Sequence, residues 1–348
     1  MFNLRSYLLP ALAAIFAAGL IMGFAGTDPV RAGPAQAADG ANYFRIGTGS
    51  IAGTYFTMGE ALAAILSQPV GAPPCDPGGR CGVPGLIATA QATEGSIANV
   101  ERVNSGELEA ALAQATIVDA ALKGLRPFDK GHKAANLRAL ANLYPESVHL
   151  VIARGSRVRD VPDLKTRRVS IDLALSGTAA DSNLILKAYG LRRQDLTVVE
   201  DSPVRAADML AQGKIDAFFF IGGYPAPLVS DLAERASIDL LAIRGPSAKK
   251  LIKENPFYSP GTIPAGAYRG IGATETIQVG AQLIVNAKVP DELVYAICAK
   301  LFDAANRPAL IQRHPKGEFI RLENALTGVT IPLHPGAERF YREKGLIK

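Results

Sequence analysis

Strand-like and helix-like stretches alternate along almost the whole chain, and that alternation restricts the fold more than any other feature. Residues 43–46 read as a strand, 47–53 as a turn, and 55–66 as a helix with Phe56, Leu62, Ile65 and Leu66 on its apolar side. A strand is expected at 85–89 and a helix at 96–103, ended by Ser105-Gly106. An apolar run at 108–112 leads into Gln114, and another helix falls around 118–122. Residues 137–143 and 148–153 read as two strands on either side of Tyr144-Pro145, because proline donates no ladder hydrogen bond. The rhythm then repeats, with strands at 168–172, 196–199 and 217–221 and helices at 178–189 and 204–212. Such alternation implies α/β architecture with parallel sheets covered by helices on both faces. At 348 residues the chain is long enough for two cores of this kind.

Three glycine-bearing turns join a strand to a helix: Gly47-Thr-Gly-Ser-Ile-Ala-Gly-Thr-Tyr55, Ser176-Gly-Thr178 and Ile221-Gly-Gly-Tyr-Pro-Ala-Pro227. Each leaves N–H groups at a helix start, where the helix dipole favours an anion. The hydroxyls of Thr48, Ser50, Thr54, Ser176 and Thr178 add donors without charge. Ordinary tight turns with capping hydroxyls have the same pattern, so a turn taken singly decides nothing. Gly47, Gly49 and Ala52 satisfy the dinucleotide fingerprint, but the acidic residue expected about 20 positions later falls in a proline-rich loop at 69–74. His132, His149, His314 and His334 form no metal or catalytic spacing, and neither H-E-x-x-H nor G-x-S-x-G occurs. His149, inside an apolar strand, reads as a packed or hinge residue. No enzyme activity, cofactor or metal is expected.

The N-terminus sets the compartment. Arg5 precedes an apolar stretch at 7–25, and Ala35-Gln-Ala37 then offers an A-x-A cleavage site, so 1–37 reads as a signal peptide with an uncleaved anchor as the alternative. Either reading places the remainder outside the cytoplasm, in the periplasm. Cys75 and Cys81 flank a Pro/Gly loop that can turn the chain back, and a disulfide between them suits an oxidising space. Cys298, at helical spacing in an apolar run, reads as a buried core thiol. The formal charge of +5 is spread without a run of five like charges, which argues against nucleic-acid binding.

Five segments in order resemble the TAXI family, the extracytoplasmic solute-binding subunits of TRAP transporters. They are Ile46-Gly-Thr-Gly-Ser-Ile-Ala-Gly-Thr-Tyr55, Gly95-Ser-Ile-Ala-Asn99, Gln114, Leu143-Tyr-Pro-Glu146, and Phe257-Tyr-Ser-Pro-Gly-Thr-Ile-Pro-Ala-Gly-Ala-Tyr268. Phe219-Phe-Ile-Gly-Gly-Tyr-Pro225 is also in place. The resemblance implies a periplasmic-binding-protein type II-like fold: two α/β lobes joined by hinge strands, with a ligand cleft between them. Lobe I would combine 42–148 with 281–348 and lobe II would be 149–280. Residues 147–154 and 276–286 would be the hinges, and 307–348 would wrap over lobe I.

The resemblance places Thr48, Gly49, Ser50, Thr54, Tyr55, Ser96, Asn99 and Gln114 on one wall of the cleft, and Ser176, Gly177, Thr178, Gly223 and Tyr224 on the other. Tyr55 either contacts ligand or packs, Gln114 either faces the cleft or satisfies a strand end, and Asn99 either lines the cleft or caps its helix. The implied ligand is a small organic anion, glutamate-, glutamine- or dicarboxylate-like, gripped by uncharged amides and hydroxyls. Ala179 stands where the family pattern continues with Glu, which favours an acid without an amino group; Glu94 and Asp181 are possible substitutes. The implied partners are the TRAP membrane subunits, the protein itself being a monomer. A periplasmic sensor contacting a membrane signalling protein is the alternative.

Overall fold

The computed structural model describes residues 42–73, 81–128 and 133–348. The signal segment at 1–37, Cys75 and His132 lie outside the described residues. The first part of the chain runs β1 (Asn42–Gly47), α1 (Thr54–Leu66), β2 (Ser67–Gln68), β3 (Val83–Pro84), β4 (Leu86–Gln91), α2 (Ser96–Ser105), β5 (Ala110–Gln114) and α3 (Ala115–Lys123). The spacing of Tyr55, Met58, Leu62, Ile65 and Leu66 gives α1 one buried face. It ends at Ser67, whose extended backbone begins β2 and whose hydroxyl donates to the Ala63 carbonyl. Gly106, at φ +85°, closes α2 in a left-handed conformation that a side chain rarely adopts.

There follow β6 (Leu137–Ala153), β7 (Arg168–Ser170), α4 (Gly177–Ala188), β8 (Thr197–Val199), α5 (Pro203–Ala211), β9 (Ala217–Gly222), α6 (Pro227–Arg235), β10 (Ile238–Leu240), α7 (Gly245–Glu254) and β11 (Tyr258–Ile263). The chain finishes with β12 (Thr274–Asn286), α8 (Asp291–Leu301), α9 (Arg307–Arg313) and α10 (Pro335–Glu343).

The strands form one sheet in the order β3-β2-β4-β1-β5-β12-β6-β9-β7-β8, with β10 beside β6 and β11 beside β12. Its flanks are parallel, β1 with β4 and β5 on one side and β7 with β8 and β9 on the other. The centre corrects the all-parallel expectation: β5, β12, β6 and β9 pair antiparallel, because β6 carries the chain out to the second half of the molecule and β12 runs back beside it. β6 is a single strand of 17 residues, not two. Pro145 lies opposite Gly280, beside a register shift at Ala281/Gln282, where the ladder is already irregular and its missing N–H costs little.

Each long strand changes partners along its length. β6 pairs with β12 from Leu137 to Ser147 and with β9 from Ser147 to Ile152, so Glu146 and Ser147 mark the crossing from one half of the molecule to the other. One core gathers Phe44, Leu62, Leu112, Tyr144, Leu283 and Phe340; another gathers Leu150, Val169, Ile185, Phe219 and Ile277. The first includes residues of the C-terminal segment, as Tyr341 donates to the Leu140 carbonyl at 2.8 Å. Two further cores gather Ile97, Val118 and Ile284, and Phe218, Leu232 and Tyr268, and the two lobes are joined by β6 and β12. Cys298 is fully buried and free, and burial pushes its thiol up, matching a core role. Cys81 is disulfide-bonded. Among the described residues no helix is long and apolar enough to cross a membrane.

Candidate functional site

A cavity of about 200 Å³ lies where the two lobes meet. At roughly 30 Å³ per water it holds about seven waters, the scale of a small metabolite. From the first lobe it is lined by Gly49, Ser50, Gly53, Thr54 and Tyr55 at the start of α1, by Thr93 through Ser96 at the start of α2, and by Gln114 at the end of β5. From the second come Asp172, Leu173, Ser176, Gly177 and Thr178 around the start of α4, Ser202 and Pro203 at the start of α5, and Phe220 and Ile221 of β9. Glu146, on the crossing strand β6, completes the lining.

The amino termini of α1 and α4 keep most of the donor character expected of them. No side chain caps α1, so its first-turn amides have no partner within the helix. In α4 the Ser176 hydroxyl accepts from the Ala179 N–H at 3.0 Å, which occupies one amide of the turn. α2 is different. Its Ile97 and Ala98 N–H groups donate to the Leu175 carbonyl at 3.1 and 3.2 Å, so this helix start clasps the opposite lobe instead of receiving an anion. Beside it the lobes touch so closely that a β-carbon on Gly177 would lie 1.8 Å from Gln114 Oε1. A side chain there would have to displace the ends of Gln114 and Ser96.

Four expected site residues do not line the cavity. Thr48 is fully buried, and both its N–H and its hydroxyl donate to the Gln91 carbonyl, at 2.9 and 2.7 Å. Asn99 Nδ2 donates to the Thr48 and Leu112 carbonyls at 2.6 and 2.7 Å. Their polar atoms are spent tying the β1–α1 turn to β5, so they are scaffold. Gly223 and Tyr224 meet the first lobe beside the cavity: the Thr54 hydroxyl donates to the Gly223 carbonyl at 3.2 Å. Gly49, Ser50, Thr54, Tyr55, Ser96, Gln114, Ser176, Gly177 and Thr178 do line it.

The sequence reading named Glu94 and Asp181 as possible carboxylates but not Glu146 or Asp172. Glu146 is 1% exposed and accepts from the Tyr55 hydroxyl at 2.6 Å, which shows that Tyr55 acts by holding an acid in place. Burial raises Glu146 to about 8, opposed by the Tyr55 hydrogen bond and by Lys316 and reinforced by Asp181. Asp172 is raised by burial to about 7, against the Leu173 N–H and the Ser176 and Thr178 hydroxyls, which favour its charged form. Its φ of +76° is a left-handed conformation tolerated by Asp, and its own Oδ1 accepts from the Leu173 N–H at 2.7 Å. Glu94 stands at the mouth, paired with Arg102 at 3.3 Å. Asp181 lies behind the wall, accepting from Tyr258 at 2.8 Å. Among the described residues no Lys, Arg or His lines the cavity. Beside the uncharged groups expected there, the carboxyl groups of Glu146 and Asp172 face the same small space.

His149 is fully buried, with Nε2 2.8 Å from the Tyr268 hydroxyl and Nδ1 2.9 Å from the Ser147 carbonyl. Burial lowers it to about 4, so it is a neutral packing residue beside the crossing, as read from its apolar strand.

Two α/β lobes joined by long crossing strands, with a cavity between them, define the periplasmic-binding-protein type II-like fold. Residues 46–345 match the model of the NMT1-like family, and the chain belongs to that family. Its fold is shared by PhnD1 from Prochlorococcus marinus, solved in complex with methylphosphonate, at 9% identity over 88% of this chain and 99% of that one, TM-score 0.50. Also similar are the periplasmic aliphatic sulphonate binding protein SsuA from Escherichia coli, at 14% identity over 86% and 82% of the two chains, TM-score 0.46, and the alkanesulfonate-binding protein SsuA from Xanthomonas axonopodis pv. citri bound to MOPS, at 19% over 88% and 85%, TM-score 0.47.

Proposed function

We propose that the protein is a periplasmic solute-binding protein that captures a small organic acid carrying an amino group, of the glutamate or glutamine kind, and delivers it to a TRAP-type permease. Lobe I is assigned to 42–148 with 281–348 and lobe II to 149–280. The observation that carries the reading is the pairing, in one cavity of about 200 Å³, of helix starts from both lobes with Glu146 and Asp172 and, among the described residues, no basic side chain. The ligand carboxylate fits the amides of α1 and α4. Its ammonium fits Glu146 and Asp172, which then give up their protons. A dicarboxylate without an amino group meets two acids and no cation, which disfavours it. Binding energy shared between the lobes drives closure, and the closed form is the one handed to the membrane partner. No covalent step and no cofactor is involved. The five TAXI-like segments support the TRAP partner.

The test is thermal unfolding with a panel of amino acids and dicarboxylates. A ligand at a hundredfold excess over its Kd stabilises by about 2.7 kcal/mol, and the reading expects this from an amino acid of glutamate size. No response to any amino acid, with a response to succinate, would overturn the ligand class. Gene neighbourhood separates transport from sensing, since a transport subunit should be encoded beside a large polytopic membrane protein.

A further inference from the structure

The turn at 223–225 seats in a slot on the first lobe, formed by Thr54 and by the segment that follows α9. His314 Nδ1 accepts from the Lys316 N–H at 3.0 Å, which leaves the ring proton on Nε2, 3.1 Å from the Pro225 carbonyl that accepts it. Gly223 fills the slot completely: a β-carbon there would lie 2.8 Å from Lys316 Cγ, 2.9 Å from Thr54 Cγ2 and 3.0 Å from His314 Cε1. The contact is a clasp between lobes, and only Thr54 belongs both to it and to the cavity lining.

Lys316 is its odd member. The side chain is 1% exposed, yet its ammonium makes no hydrogen bond among the described residues. It has two aromatic faces instead, Tyr224 of the second lobe at 3.8 Å and Phe319 of the first at 4.9 Å from the ring centres. The acid whose charge it feels, Glu146, is itself driven toward its neutral form by burial. Three unsatisfied N–H bonds in a dry site lose more than two ring faces return. When the turn at 223–225 withdraws, water reaches the ammonium and that loss is recovered.

Resting on the binding reading above, we propose that His314, Thr54 and Gly223 form a clasp that shuts the lobes and that Lys316 is the positioning residue that keeps the clasp reversible, favouring the open form. The two halves of the clasp thus act in opposite directions. Lys316→Met keeps the stem and removes the ammonium, and should shift the molecule toward the closed form. Gly223→Ala should hold it open.

The test uses the full chain with spin labels at the exposed positions Ala304 and Lys249, one on each lobe, and reads the interlobe distance distribution. Without added small molecule, Lys316→Met should cut the open population about five- to tenfold, a change of about 1 to 1.4 kcal/mol at tenfold per 1.4, while Gly223→Ala enlarges it. In the presence of L-glutamate, Lys316→Met should also slow release by a similar factor. An enlarged or unchanged open population in Lys316→Met, with a normal melting transition, overturns the proposal. If wild type ignores L-glutamate and every panel compound while the two variants still move oppositely, the clasp stands and the binding reading fails.

Discussion

Replacing Glu146 by Gln tests whether a protonated acid is built into the crossing strand. The amide is nearly isosteric with the protonated carboxyl and still accepts from Tyr55, so at pH 5 the variant should unfold within about 1 kcal/mol of wild type. The two then diverge. In the native protein Glu146 holds its proton up to about 8, whereas in the unfolded chain it loses it near 4.5. A raised carboxyl contributes stability that is full below the unfolded value and is lost as pH rises toward the folded one. At about 1.36 kcal/mol per pH unit, wild type should lose roughly 4 kcal/mol relative to Glu146→Gln between pH 5 and pH 8. Taking the difference between the two proteins cancels the opposite contribution of His149, whose lowered value makes the folded state gain stability as pH rises from about 4 toward 6.5. Urea unfolding at both pH values, with equal m-values, measures the divergence. A wild-type-to-variant difference that does not change with pH would refute the buried, protonated Glu146.

Gly177→Ala should weaken binding of L-glutamate about 10- to 100-fold in calorimetry, because the new methyl group forces the Gln114 side chain to move; a loss below threefold would mean the lobes do not close on that contact. Asn99→Ala should destabilise the protein by about 2 to 4 kcal/mol in urea, since it leaves the Thr48 and Leu112 carbonyls without that donor. Thr48 and Asn99 being scaffold, an affinity loss in Asn99→Ala without a stability loss would contradict their assignment. In NMR titration the His149 ring should stay neutral down to about pH 5, and a midpoint near 6.5 would show that it is solvated.

Much of the architecture was written in local patterns. The apolar face of α1, the wholly buried runs Ala110–Gln114 and Ala217–Gly222, and the glycine that ends α2 each announce their element without reference to the rest of the chain. β6 was misread because Pro145 punctuates a sequence in the same way whether it ends a strand or sits at an irregular point within one. The site was half legible for a related reason. A hydroxyl or amide at a turn reads identically whether it faces a cavity, as Ser50 does, or a buried carbonyl, as Thr48 and Asn99 do. Glu146 was hidden between Pro145 and Ser147 in what looked like a break, and only its partnership with Tyr55, 91 positions away, marks it. Asp172 gives one local hint, an acid between a strand and a turn, and its left-handed backbone emerges only in three dimensions. The clasp needed the return of the C-terminal segment, which no local pattern foretells.

Calorimetry at pH 7 with L-glutamate and with succinate, each in buffers of differing ionisation enthalpy, bears most directly on what the cavity recognises. Uptake of the amino acid should expel about 1.4 protons per site, roughly 0.9 from Glu146 and roughly 0.5 from Asp172 as the ammonium enters, and succinate should bind at least about 100-fold more weakly. Tighter binding of succinate, or amino-acid binding with no proton released, would contradict it.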